Sequence, residues 1–201
     1  MSPSVVALTF AAIFVVELPD KTFIAALVLS TRYRGVLVWI GVSLAFLVQT
    51  VLAVTVGKAV TFLPADVVHA VAAAIFLIGA VLLAREAPRA DVEEHETEEE
   101  FAAKATEAKT GWAAVLASFL VLFAAEWGDL SQLLTISLVG RYDDPLAVFV
   151  GAWGALVAVS GLAVLAGRYL LRHIRLSVIH YVGATVCLVL AVVTIYELVT
   201  G

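Results

Sequence analysis

The chain has 201 residues, 63% hydrophobic and 14% charged, with a mean hydropathy of +1.06 and a formal net charge of −5. That balance excludes a water-soluble domain, and nothing in it suggests nucleic-acid binding. The single cysteine, Cys187, rules out an internal disulfide and any multi-cysteine metal site.

A bilayer-spanning helix needs about 20 predominantly apolar residues. Six such runs follow one another, near residues 4–30, 36–57, 67–84, 112–139, 146–167 and 177–198. With their loops they use nearly the whole chain, so the predicted fold class is an all-α integral membrane protein with six transmembrane helices. The N-terminus lacks the basic region of a signal peptide and is read as a retained helix.

The first run carries Glu17-Leu18-Pro19-Asp20-Lys21-Thr22 at its middle. Carboxylates at bilayer depth cost roughly 2.5–3.5 kcal/mol each on insertion scales, so they are rare and mark ion or proton pathways. Glu17 and Asp20, three residues apart, are expected on one helix face. Pro19 is expected to kink the helix and free the carbonyl of Val15. The second run brings Gly41, Ser43 and Ala45, which permit close helix contact in lipid. It also brings Gln49 and Thr50, fit either to line a path or to bond helix to helix. The third starts near His69 and ends at Glu86.

Residues 87–111 are a linker. From 91 to 109 it holds Asp91, Glu93, Glu94, Glu96, Glu98, Glu99, Glu100 and Glu107 against Lys104 and Lys109. A solvated cytoplasmic connection is expected, a weak cation-attracting role being the other reading. The fourth run then repeats the motif as Glu126-Trp127-Gly128-Asp129-Leu130-Ser131-Gln132. Gly151, Ala152, Gly154 and Ala155 lie in the fifth run, His180 and Glu197 at the ends of the sixth. Trp39, Trp127 and Trp153 are deep enough in their runs to be packing residues, as is Cys187.

The two motifs are 109 residues apart, and the match continues. Arg32-Tyr33 answers Arg141-Tyr142; Gly41 answers Gly151 after a one-residue slip; His69 and Glu86 answer His180 and Glu197 after another. Residues 1–86 and 112–201 therefore read as two repeats within a single membrane domain, 1–201. Three helices is an odd number, so the second repeat enters the membrane upside down. Arg32, Arg34, Arg85, Arg89, Lys104, Lys109, Arg168, Arg172 and Arg175 fall on one side, and only Lys58 and Arg141 on the other. The positive-inside rule puts the first set, and the linker, in the cytoplasm and both termini outside. Inverted repeats with a site at the midplane are a recurring plan of secondary transporters.

Antiparallel first and fourth helices can bring Glu17, Asp20, Glu126 and Asp129 together, a hard-oxygen nest suited to Mg²⁺, Ca²⁺ or Mn²⁺. Thr22, Ser131 and Gln132 add neutral oxygens. Four acids and Lys21 sum to −3 when all are ionised, so a divalent ion leaves room for a proton. Competition between protons and a cation for one site is what an exchanger requires. No His-Glu-x-x-His, Gly-x-Ser-x-Gly or Walker-type motif is present, which argues against an enzyme and against ATP-driven pumping.

At these two motifs the chain resembles the Gdt-type manganese/calcium cation transporter family of bacteria, plastids and the Golgi. That family is marked by paired Glu-x-Gly-Asp-(Lys/Arg)-(Thr/Ser) motifs in two inverted three-helix halves around an acidic loop, and the likeness covers the whole chain. Pro19 stands for the first glycine and Leu130 for the second basic residue. The resemblance implies export of Mn²⁺, with Ca²⁺ as alternative cargo, in exchange for protons. It implies an ion site of Glu17, Asp20, Thr22, Glu126, Asp129 and Ser131; Lys21, Gln49 and Gln132 are candidate accessories from the residues themselves. No resident cofactor is expected. The expected partners are the cation, protons and the bilayer, with a homodimer left open. The rival reading is export of another small cation or a basic amino acid. Compact length and the lack of a targeting peptide point to a bacterial inner membrane.

Overall fold

The computed structural model describes residues 1–18, 20–104, 110–173 and 176–200. Pro19, Glu107, Lys109 and Arg175 lie outside the described residues. Among the described residues the chain forms α1 (Pro3–Glu17), α2 (Lys21–Arg32), α3 (Gly35–Val60), α4 (Ala65–Glu86), α5 (Ala90–Lys104), α6 (Trp112–Ala125), α7 (Leu130–Tyr142), α8 (Pro145–His173) and α9 (Leu176–Thr200). Four of these, α3, α4, α8 and α9, are long and apolar enough to cross a bilayer. A fifth candidate is the pair α6 and α7, bent by 73° at the break between them. Side chains such as Leu44, Val48, Val51 and Val56 on α3 and Val189 and Val192 on α9 are exposed. On a soluble protein such faces would be an aggregation hazard; on a multi-pass membrane protein they face lipid.

The first and fourth apolar runs are not continuous helices. Each is divided at its motif, α1 from α2 around residues 18–20 and α6 from α7 around 126–129. Gly128 has φ +80°, a conformation that ends a helix and suits a residue without Cβ. Asp20 and Asp129 then cap the helices that follow, their side chains accepting from the backbone N–H of Lys21 and Gln132. Short polar side chains compete with the helix for backbone partners, and here they win.

Equivalent residues of the two halves make equivalent contacts. α1 packs on α8 as α6 packs on α3. A Cβ on Gly151 would lie 2.7 Å from the carbonyl of Val6 and 2.8 Å from Thr9 Cβ. One on Gly41 would collide with the carbonyl of Val115 and lie 3.0 Å from Ser118 Cβ. Lipid gives apolar helices no hydrophobic reason to associate, so such backbone approaches carry the packing. Between the halves α3 and α8 run antiparallel: Trp39 Nε1 donates to Val157 O at 3.0 Å and Trp153 Nε1 to Ser43 O at 3.1 Å. Trp127, expected to pack, is instead 65% exposed, resting edge-on against Phe123. Its place in the break between α6 and α7 turns it out of the core.

Much of the linker is helix. α5 packs against α2 and α9, with Ala90, Thr97 and Phe101 buried and Glu96, Glu99 and Glu100 exposed. Two or three apolar contacts suffice to seat a strongly acidic helix when its charges keep to the solvent side.

Candidate cation site

The two motifs are built alike. Glu17 closes α1 and Glu126 closes α6, so each carboxylate sits at a helix C-terminal end. Asp20 and Asp129 start α2 and α7. The pairing of Glu with Asp therefore comes from a break, not from the shared helix face that their spacing suggested. A broken helix also leaves its last carbonyls, the negative end of the dipole, turned toward the same place, an arrangement that favours a cation.

The breaks face each other. One oxygen from each of Glu17, Asp20, Glu126 and Asp129 lies within 4.8 Å of all the others. Four atoms so spaced fit within a sphere of radius about 2.9 Å, so some point lies no farther than that from each of them, close to the 2.3–2.6 Å of calcium–oxygen bonds. Small rotations would bring all four into contact with one ion. Glu17 and Glu126 are 0% and 3% exposed.

Neighbouring groups hold the carboxylates without satisfying them. Thr22 Oγ1 donates to Glu17 Oε1 at 2.8 Å. Ser131 Oγ donates to Asp129 Oδ2 at 2.8 Å and the Gln132 amide to Asp129 Oδ1 at 3.0 Å. Gln132 in turn accepts from Gly128 N at 3.0 Å, bracing the turn. Glu17 Oε2 and Glu126 Oε2 are buried with no hydrogen-bond partner. Orphaned buried carboxylate oxygens are costly, and a cation or proton is the natural relief. Among the described residues Lys21 is ion-paired with none of the four acids, although it borders the same cavity. Gln49 donates to Phe123 O at 3.1 Å, tying α3 to α6.

Two spaces adjoin the cluster. A cavity of about 380 Å³ has Asp20, Glu126 and Asp129 on its wall and runs past Leu83, Glu86 and His180 to Thr97 of α5. On the other side, beside Asp129, Gln49, Thr50, Ser131, Gln132 and Thr135 enclose only about 10 Å³, scarcely the room one water needs. Glu86, expected to be solvated, and His180, expected to pack or cap at the interface with proton relay or a gate contact as the other reading, thus border the route to it. His69, the match of His180, has no such place: it does not line the cavity. Their standing as matched pairs was the one signal that singled them out.

With this geometry in view, the comparisons with known proteins agree on one family. Residues 5–91 and 114–201 match the model of the divalent cation/proton antiporter family GDT1. A GDT1-like protein of Synechocystis is 33% identical over 190 residues, covering 90% of this chain and 92% of its own. The chloroplast protein PAM71 of Arabidopsis thaliana is 32% identical over 209 residues, 95% of this chain and 56% of its own, so the chain spans just over half of that relative. A GDT1-like protein of Schizosaccharomyces pombe is 25% identical over 90% of this chain and 85% of its own. No solved structure matches the chain. The chain belongs to the GDT1 family of divalent cation/proton antiporters, and is a transporter rather than an enzyme.

Proposed function

We propose, from that membership, that the protein exports a divalent cation, Mn²⁺ first and Ca²⁺ as alternative, in exchange for protons. The cation would be held by Glu17, Asp20, Glu126 and Asp129, with Thr22 and Ser131 positioning the carboxylates or lending their hydroxyls. One observation carries the reading: four acidic side chains from two helix breaks converge within 4.8 Å, with two carboxylate oxygens buried and unpartnered. Such a cluster cannot keep all its charges without company. Cation and protons would relieve it in turn, which is exchange.

The six-span inverted repeat fits this use. Counting α1 with α2 and α6 with α7 as one broken span each gives three spans per half, and the doubled Gly41 and Gly151 contacts are what a two-fold axis in the membrane plane would produce. In that frame the linker side is cytoplasmic, both termini are outside, and the bilayer is a bacterial inner membrane. The large cavity then faces the cytoplasm, where an exporter collects its cargo. A basic amino acid fits less well, because carboxylate oxygens this close leave room for an ion and not for a solute.

The test is flux into proteoliposomes. Purified protein should take up Mn²⁺ against an imposed proton gradient and move protons the other way. Glu17→Gln and Glu126→Gln should each abolish both fluxes; full transport by either variant would remove the proposed site.

A further inference from the structure

Three ion pairs lie together at one end of the molecule. Lys58 Nζ meets Asp143 Oδ1 at 2.8 Å, Arg141 Nη2 meets Glu197 Oε1 at 2.9 Å, and the N-terminal amine lies 3.7 Å from Asp144. At the other end Lys104 pairs with Glu100, both within α5. Arg141 is the most enclosed of these groups, its side chain 4% exposed. It also donates to Thr194 Oγ1 at 2.6 Å and lies over the Tyr142 ring, 5.0 Å from its centroid. α7 packs chiefly on α3, α4 and α1, so Arg141 is what fastens its end to α9.

The first half holds the same residues and not the same contact. By the sequence match, Arg32 answers Arg141, Tyr33 answers Tyr142 and Glu86 answers Glu197, while Leu83 stands where Thr194 is. No ion pair joins Arg32 to Glu86, and both are exposed. Glu86 and Leu83 instead line the 380 Å³ cavity, and Arg32 borders a separate groove with Glu98 and Glu99 of α5. The cavity that reaches the acids thus has on its wall Glu86, from the pair that is apart, and neither Arg141 nor Glu197, from the pair that is made.

We propose that Arg141–Glu197 and Arg32–Glu86 are the two latches of alternating access, one closed in this structure and the other released. This rests on the transport reading above. When the site turns to the far side, Arg141 leaves Glu197, and Arg32 leaves its groove beside α5 to bridge α2 to Glu86 across the cavity mouth. The latches are unequal. Leu83 offers no acceptor where Thr194 does, so the first-half latch makes one hydrogen bond fewer. The resting protein therefore favours the state seen here, with the site turned toward α5.

Two measurements test it. In proteoliposomes, Arg32→Glu and Glu86→Arg should each lower Mn²⁺ uptake about tenfold or more, and the double exchange should recover most of it, as coupled partners do. Residues that never meet show no such recovery, and its absence would overturn the proposal. Independently of transport, cysteine pairs can be cross-linked with the buried native Cys187 left in place. Arg141→Cys with Glu197→Cys should link without metal; Arg32→Cys with Glu86→Cys should link only with Mn²⁺ and a proton gradient present. Linking of the second pair supports the latches even if the unaltered chain carries no Mn²⁺, a result that would sink the transport reading alone. Failure of the second pair to link in a chain that does transport would sink the latches alone. As a milder variant, Arg141→Gln should make a cysteine at Thr135, buried here, reactive toward a water-soluble thiol reagent; continued protection would count against the latch.

Discussion

Replacing Glu126 by Gln should make the metal-free protein more stable while removing its response to metal. Glu126 is 3% exposed, one of its oxygens has no partner, and three other carboxylates offer an oxygen within 4.8 Å. At an effective dielectric of about 20, two unit charges 4.8 Å apart repel by about 3.5 kcal/mol. Bound protons quench part of that, so a gain of about 1–3 kcal/mol is expected for the amide, or roughly 2–10 °C in the midpoint of a chain this size. The assay is tryptophan-fluorescence unfolding in detergent at pH 8 with chelator, repeated with Mn²⁺. The parent should gain about 2.7 kcal/mol at a metal concentration one hundred times its Kd; Glu126→Gln should gain little. A variant that melts below the parent without metal would show that Glu126 has a structural partner rather than an unrelieved charge. One that keeps the full metal shift would show that the ion binds elsewhere. Either result refutes the reasoning.

Other expectations follow from the same geometry. Thr22→Val removes the hydroxyl that donates to Glu17 Oε1 at 2.8 Å; metal affinity should fall by about ten- to hundredfold, since a hydrogen bond to a charged group is worth about 1.5–3 kcal/mol, and calorimetric titration would show it. Gly151→Val would drive a Cβ to within 2.7 Å of the Val6 carbonyl, which belongs to backbone and cannot swing aside; a loss of about 1–3 kcal/mol is expected in the same unfolding assay. Gly41→Val should do likewise through Val115. Acidification should weaken cation binding, because each proton that must leave the carboxylates makes affinity fall about tenfold per pH unit; Mn²⁺ titrations between pH 6 and 8 that superimpose would exclude proton competition.

Much of this protein was legible without coordinates. The apolar runs announced membrane helices because spanning length is set by bilayer thickness. The two Glu-x-x-Asp motifs stood out because charge is rare at that depth. The ordered matches, Arg32 with Arg141 and Glu86 with Glu197, set two stretches of the chain side by side, and Gly41 and Gly151, matched in the same order, do make similar close contacts. What the sequence could not say is how each motif is held. Spacing put Glu17 and Asp20 on one turn of a continuous helix, whereas both motifs are breaks in which the Glu ends one helix and the Asp begins another. Local periodicity is the same for a straight apolar helix and a broken one; the choice is made by capping bonds and by the approach of the facing break.

The seating of α5 was equally hidden. Its composition is that of a solvated linker, and Phe101 alone could not announce that α2 and α9 leave a place for it. Most of all, two halves alike in sequence are not in the same state. Arg141 is joined to Glu197 and Arg32 is not joined to Glu86, and nothing in the order of residues dictates which pair is made. Sequence fixes which groups are able to meet, since identity and register are local properties. Which of them do meet is decided by how the helices pack, because the distance between α7 and α9, or between α2 and α4, is a property of the whole bundle and not of any one stretch of chain.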